Sequence, residues 1–278
     1  GTGKKAIVTA VAAGTANITA TVDGKKATCA LTVTAKPVVV EELTLDKEYE
    51  VLEVSGDKAT ATLTATNIGD GVTFTSSDPE VVTVTAEEGV ATLTAVKLGA
   101  ATITAVSGDF TKTCKVDVAN EGLVYTVETS ENGDVAYVKD GETKVSGELR
   151  IPAYYYDDVI NEAYLPVVQI ADNGFEGNTA ITSIYTGDNV AVVGKNSFKN
   201  CTELTSVVTT DATKNLDDNS FCGCVKLNSI TWSENCGLTR IGQNTFNTTG
   251  FVDFVVPASA ELNFASFRTC PELKTVKI

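Results

Sequence analysis

Val193-Gly194-Lys195-Asn196-Ser197-Phe198-Lys199-Asn200-Cys201-Thr202-Glu203-Leu204-Thr205-Ser206-Val207 recurs, as a pattern, through the second half of the chain. Phenylalanine stands at 175, 198, 221, 246 and 267, in steps of 23, 23, 25 and 21. Five residues before each lies an aliphatic: Ile170, Val193, Leu216, Ile241 and Leu262. Six and nine residues after it stand Ile181 and Ile184, Leu204 and Val207, Leu227 and Ile230, Leu273 and Val276; the fourth repeat is one residue tighter, with Phe251 and Phe254. A period this regular marks a stack of short coils, each too small to bury its apolar side alone. Asn173, Asn196, Asn219 and Asn244 precede the Phe by two, and Ala265 breaks the series. Asparagines stacked at a turn are expected to satisfy backbone groups of neighbouring coils.

The first half repeats at another interval. Val8-Thr9-Ala10-Val11 through Ile18-Thr19-Ala20 aligns without gaps with Leu93-Thr94-Ala95-Val96 through Ile103-Thr104-Ala105, an offset of 85 that still holds at Cys29 and Cys114 and at Val33 and Val118. Two copies of one module therefore stand in tandem, joined near Ala35-Lys36-Pro37. Alternation is strict: Ala27, Cys29, Leu31 and Val33 point one way, Lys26, Thr28, Thr32 and Thr34 the other, as in a half-buried strand. Turn signals at Asp23-Gly24, Gly69-Asp70-Gly71, Ser77-Asp78-Pro79 and Ser107-Gly108-Asp109 predict an antiparallel β-sandwich.

The run from Phe74 to Val84, then Gly89 to Val96, Gly99 to Ala105 and a final strand, resembles the bacterial immunoglobulin-like group 2 domain. The second-half pattern, Ile-Gly-x-Asn-x-Phe-x-x-Cys-x-x-Leu-x-x-Val, resembles the BspA-type leucine-rich repeat of bacterial cell-surface proteins over about 148–278, and Gly122 to Val127 with Gly147 to Pro152 looks like its strand cap. The expected fold is mainly β: tandem Ig-like β-sandwich modules, the first partial, followed by a leucine-rich repeat solenoid. Residues 1–35 are the C-terminal part of one Ig-like domain, 36–119 a complete one, and 120–278 the repeat domain. The first copy lacks about half a module, so its roughly three strands leave an apolar face and an open edge. Either the chain was cut there or another segment supplies the missing strands; the last repeat has no polar cap, which suggests truncation at that end too.

Composition narrows the chemistry. Asp and Glu number 36 against 21 Lys and Arg, a formal charge of −15, and such a surface repels nucleic acid and anionic lipid. No apolar run is long enough to span a bilayer, and the start lacks the apolar core of a signal peptide. Histidine is absent, which removes Ser/His/Asp and Cys/His nucleophile systems. Seven cysteines leave at least one unpaired. Cys201, Cys224, Cys270, Cys29 and Cys114 occupy inward positions and read as small buried hydrophobes, whereas Cys222 and Cys236 leave a local disulfide open. The Cys222-Gly223-Cys224 spacing does not fit zinc, and no loop has the ligand series of a calcium site. The carboxylate doublets Asp157-Asp158 and Asp217-Asp218 read as turn residues rather than a glycosidase pair. Trp232 falls on an inward phase and reads as core.

No enzyme, cofactor or metal is therefore expected. The two resemblances imply an extracellular protein of the bacterial surface that adheres to proteins or glycans, with the Ig-like copies as spacer. An alternative is a non-catalytic accessory region of a larger secreted glycan-processing enzyme, and a third a purely structural stalk. The expected recognition face is the outward side of the repeat strands. It has two columns: Ser183, Ser206, Ser229, Asp253 and Thr275, and Tyr185, Val208, Thr231, Val255 and Lys277. About 20 Å of stacked coils would present them. Tyr154, Tyr155 and Tyr156, beside Tyr164, are the second candidate: a stacking platform for sugars or a protein hot spot, set against tyrosines that merely pack the cap.

Overall fold

Val and Thr are stiff at Cβ and fit a pleated surface better than a helix, and among the described residues every regular element is a strand. The computed structural model describes residues 5–34, 42–68, 71–131, 133–159 and 162–278. No helix among them is long and apolar enough to cross a membrane.

Residues 1–42 and 43–278 are two separate compact units. The first contains one hairpin, β1 (Gly14–Val22) and β2 (Lys25–Val33), paired antiparallel from Gly14 opposite Val33 to Val22 opposite Lys25. Asp23 and Gly24 close it at φ 49° and 80°, the two-residue turn whose twist suits a hairpin. The expected third strand is absent from residues 5–13, and Cys29, read as buried, is exposed. None of the described residues of this unit before Glu42 is buried.

The second unit opens with β3 (Thr44–Leu45), β4 (Tyr49–Glu53), β5 (Thr60–Thr66), β6 (Thr73–Ser76), β7 (Val82–Glu87), β8 (Val90–Ala95), β9 (Gly99–Ser107) and β10 (Phe110–Ala119). They form two four-stranded sheets, β4-β10-β9-β6 and β3-β5-β8-β7, with β4 and β10 parallel. Leu52, Leu63, Val82, Leu93, Ile103 and Val116 form the fully buried core of this module. Cys114 is buried with them, and burial pushes its thiol up to about 12.

The chain continues through β11 (Leu123–Ser130), β12 (Gly133–Asp140), β13 (Gly147–Arg150), β14 (Tyr154–Asp157) and β15 (Ala163–Ile170). The coils follow with β16 (Ile181–Tyr185), β17 (Val192–Val193), β18 (Ser206–Val208), β19 (Asn215–Leu216), β20 (Ser229–Thr231), β21 (Arg240–Ile241), β22 (Asp253–Val255), β23 (Glu261–Leu262) and β24 (Thr275–Lys277). One ladder runs β11-β12-β15-β17-β19-β21-β23, parallel from β12 onward; the other runs β13-β16-β18-β20, parallel throughout. Phe175, Phe198, Phe221 and Phe246 stack in the shared core, centroids 5.2, 5.4 and 5.9 Å apart and planes within 9°. The thiols of Cys201, Cys224 and Cys270 each donate to the carbonyl of the preceding coil's Phe at 3.2, 3.0 and 3.0 Å. Burial pushes Cys201 up to about 12 and Cys224 well above its usual value. Cys201 and Cys224 are protonated structural groups, Cys270, expected to be buried, is only partly so, and all seven cysteines are free, Cys222 and Cys236 included.

The asparagine column has a reason other than the expected one. Asn173, Asn196, Asn219 and Asn244 sit at φ 57°, 54°, 58° and 54°, left-handed backbone that Asn tolerates and other side chains resist. The turn backbone is satisfied mostly by other backbone, as where Phe175 N–H donates to Ser197 O at 2.7 Å and Phe198 N–H to Ser220 O at 2.8 Å. Among these asparagines one side-chain bond crosses between coils, Asn196 Nδ2 to Asn173 Oδ1 at 3.0 Å. Ala265 holds the same conformation at φ 59°. Ala265→Asn is expected to stabilise the chain by about 0.5–1 kcal/mol, read as a raised denaturation midpoint.

Candidate functional site

In the β13-β16-β18-β20 ladder, Arg150, Tyr185, Val208 and Thr231 stand opposite one another, and so do Glu148, Ser183, Ser206 and Ser229. Ile184 and Val207 between these columns are buried, so the flanking side chains turn outward. Val208 is 38% exposed and Thr231 is exposed, while Tyr185 is half-buried. The expected five-coil column does not form. β22 pairs with β24 and not with β20, so Val255, 57% exposed, stands opposite Lys277 in a separate pair. The hydrogen-bond pattern changes at Trp232. In the coils before it, Thr186 N–H donates to Val208 O and Thr209 N–H to Thr231 O; at the next step the Trp232 indole Nε1 takes the Val255 carbonyl, at 3.0 Å. Trp232 itself packs partly buried against the core, edge-on to Phe254, as its phase predicts.

Tyr185 is held on two sides. The Arg150 guanidinium lies 4.1 Å over its ring, and its hydroxyl donates to Asp188. Burial and then that bond hold the phenol above its usual range. A hollow of about 400 Å³ opens beside it, lined by Tyr185, Asp188, Thr209, Thr210, Asp211 and Ser233. Asp211 accepts from the Asn235 side chain at 3.1 Å, and that bond is the leading cause of a pKa below the usual carboxylate value.

The tyrosines of β14 lie elsewhere. Tyr155 stacks on Tyr125 at 4.4 Å and joins the repeat core. Tyr154 and Tyr164 pack on Tyr49 of the complete Ig-like module, centroids 4.5 and 5.7 Å away, and Tyr156, 45% exposed, tilts against Tyr164 at 5.0 Å. Tyr154, with Tyr164, therefore belongs to the joint with β4, while Tyr156 lies at its edge and Tyr155 is turned into the repeat core. Beside the joint lies a cleft of about 1170 Å³, whose lining includes Glu48, Glu53, Asp158 and Glu162.

Asp117 anchors this joint. It accepts from the Tyr49 hydroxyl and, at 2.8 Å, from Ala153 N–H, with Arg150 Nη2 3.6 Å away. Asn120 bridges to β13 by accepting from Arg150 N–H at 2.7 Å and donating to Glu148 O at 2.8 Å. Tyr164 donates to Glu50 at 2.8 Å. Burial is the largest cause holding the Tyr49 and Tyr164 hydroxyls protonated, with Asp117 and Glu50 second. Sequence reading missed Tyr49, Asp117, Asn120 and Arg150. The one available signal was Asp117 itself, a charge in the apolar run Val116-Asp117-Val118-Ala119, where both strand faces are buried.

The carboxylate doublets are structural. Asp217 and Asp218 both grip Arg240, at 2.5 and 2.6 Å. Asp157, expected in a turn, instead ends β14, buried, and accepts from Val159 N–H at 3.2 Å.

Residues 151–278 match the BspA type leucine rich repeat region in six copies, one more than the five phenylalanines mark. Residues 39–118 match the bacterial Ig-like domain (group 2). No curated protein matches the chain. Among solved structures it is similar to a leucine-rich repeat protein of T. pallidum, 24% identical over 55% of this chain and 68% of that one, TM-score 0.47. It is also similar to a leucine-rich repeat protein from Bacteroides ovatus, at 22%, 58%, 41% and 0.48 in the same order, and to the pneumococcal vaccine antigen PcpA, at 17%, 57%, 49% and 0.39. The chain spans less than half the length of the last two. Joined through Asp117 and the tyrosines, then, are a bacterial group 2 immunoglobulin-like domain and a BspA-type leucine-rich repeat region.

Proposed function

We propose that this is a bacterial cell-surface binding protein. Its Ig-like module acts as a spacer, and its repeats form a solenoid whose outward strand face recognises an extracellular protein or glycan. The observation that carries this is the regular ladder of outward side chains, half-buried Tyr185 with exposed Val208 and Thr231, backed by a buried core and fixed in register. Four strands about 4.8 Å apart span about 14 Å, enough for a peptide segment or a few sugar units and small for a tight protein interface. The contact is weak and gains strength from many copies on one surface. The reading involves no catalysis, and of the two carboxylate doublets Asp217 and Asp218 are engaged with Arg240.

The test replaces Tyr185, Val208 and Thr231 together by Asp, Lys and Glu, and measures adhesion of displaying cells alongside the melting temperature. Adhesion is expected to fall at least about tenfold, since three central contacts of a small patch are lost. Undiminished adhesion by a stably folded variant moves the site, first to the cleft at Tyr154, Tyr155 and Tyr156.

A further inference from the structure

The strand that carries Tyr49 has an open side. β4 ends its sheet, with β10 as its one neighbour among the described residues. In a parallel pair alternate residues of a strand bond the same neighbour. Glu48 O accepts from Lys115 N–H and Val54 N–H donates to Ala119 O, so Glu50 and Leu52 face β10, and Tyr49, Val51 and Glu53 turn their backbone groups the other way. Two of those three amides have local partners: Val51 N–H donates to the Glu50 carboxylate at 3.1 Å and Glu53 N–H to Lys58 O at 3.0 Å. The Tyr49 amide and the Tyr49 and Val51 carbonyls have no partner among the described residues. The cleft of about 1170 Å³ is lined by the whole of β4, by the first residues of β11 and by most of β14. β11 also ends its sheet, and β14 pairs with β15 alone, so all three strands keep an unpaired edge.

The lining is more acidic than it can neutralise itself. It holds seven carboxylates and two lysines, and both lysines are engaged: Lys47 with Glu50 at 2.6 Å and Lys58 with Glu53 at 3.8 Å. Glu48, Asp57, Asp158 and Glu162 are exposed and have no cation among the described residues. We infer that this cleft binds an extended polypeptide segment rich in Lys or Arg, which adds a strand to the free edge of β4. β4 has five residues, about 17 Å of strand, so a segment of similar length fits. Its backbone supplies N–H groups to the Tyr49 and Val51 carbonyls and a carbonyl to the Tyr49 amide, the mode in which main-chain bonds give affinity and side chains give specificity. Its cations meet the four unpaired carboxylates. A sugar suits the cleft less, because the ring faces it would stack on are taken: Tyr49 by Tyr154 and Tyr164, and Tyr155 by Tyr125. A second copy is opposed by charge, since it would bring two such acidic edges together. The cleft shares no residue with the Tyr185, Val208 and Thr231 column, and the inference stands whether or not that column is adhesive.

The probe is a labelled heptapeptide of alternating Lys and Val with both ends blocked, titrated into the full chain and read by fluorescence anisotropy, with NMR amide exchange at Tyr49 alongside. Binding is expected to slow exchange of the Tyr49 amide by roughly tenfold or more and to be lost in about 1 M salt, where charges are screened within about 3 Å. The same peptide with every backbone nitrogen methylated keeps the charge and loses the strand bonds, and is expected to bind roughly tenfold more weakly or worse. A heptapeptide of alternating Glu and Val is expected not to bind. Glu48→Lys with Asp57→Lys, both exposed, is expected to weaken binding by roughly tenfold without changing the melting temperature. The variant at Tyr185, Val208 and Thr231 is expected to bind the peptide as the wild type does; a loss there puts the peptide on the repeat face and overturns the inference. Failure of the Lys peptide to bind, equal binding by the methylated peptide, or an unchanged Tyr49 amide at saturation overturns it as well. So does Tyr49 protection gained by concentrating the chain alone, or by a neutral N-acetylglucosamine tetramer in place of the peptide.

Discussion

Asp117→Ala is expected to destabilise the chain by about 3–5 kcal/mol, the cost of leaving a buried charge and its donors without their partner. The Asp117 side chain is 10% exposed, and its loss deprives Tyr49, the Ala153 amide and Arg150 of their partner at once. Arg150 is the costliest of the three, because its side chain is 13% exposed and cannot turn to water without leaving the Tyr185 ring. Asp117→Asn keeps the volume and one acceptor and is expected to cost less, and Tyr49→Phe, which removes a single donor, about 1 kcal/mol. Urea denaturation measures the series, with Trp232 fluorescence reporting on the repeats and amide exchange on the Ig-like module. The wild type is expected to unfold residues 43–278 in one transition and Asp117→Ala in two. A cost below about 1 kcal/mol for Asp117→Ala would place the strength of the joint in its tyrosines instead.

Phe221→Ala is expected to cost a similar 3–5 kcal/mol by a different route, the loss of a large buried side chain and the cavity that remains. Phe221 is fully buried between two rings, Phe198 and Phe246, tilted from it by 5° and 9°. Its removal breaks the one column that runs through every coil. Coils are stabilised by their neighbours, so the segment after 221 is expected to lose amide protection before the segment ahead of it. Phe267→Ala at the half-buried end of the column is the internal comparison and is expected to cost clearly less. Equal costs at both positions, measured by denaturation, would mean that coil stability does not depend on the stack.

The sequence by itself determined the two modules, because each writes its geometry in a period. An interval near 23 between Phe175, Phe198 and Phe221 places the rings above one another, and the structure stacks them. Alternation in Ala101, Ile103 and Ala105 marks one face, and that face is buried. Even the left-handed turns are legible, as Asn at four of five positions, although the pattern alone suggests a hydrogen-bonding role for Asn and the backbone angles give it a conformational one. Only the tertiary structure decided how the modules meet. Tyr49 and Tyr164 are separated by more than a hundred residues, and neither lies at a marked position of a repeat. Their contact depends on where β4 and the cap arrive in space, which no local period records. The same is true of the break after Thr231, where the ladder stops and the Trp232 indole N–H donates to the Val255 carbonyl. Periodicity reports what each residue does to its nearest repeats; a joint or an interruption is set by a partner far away in sequence.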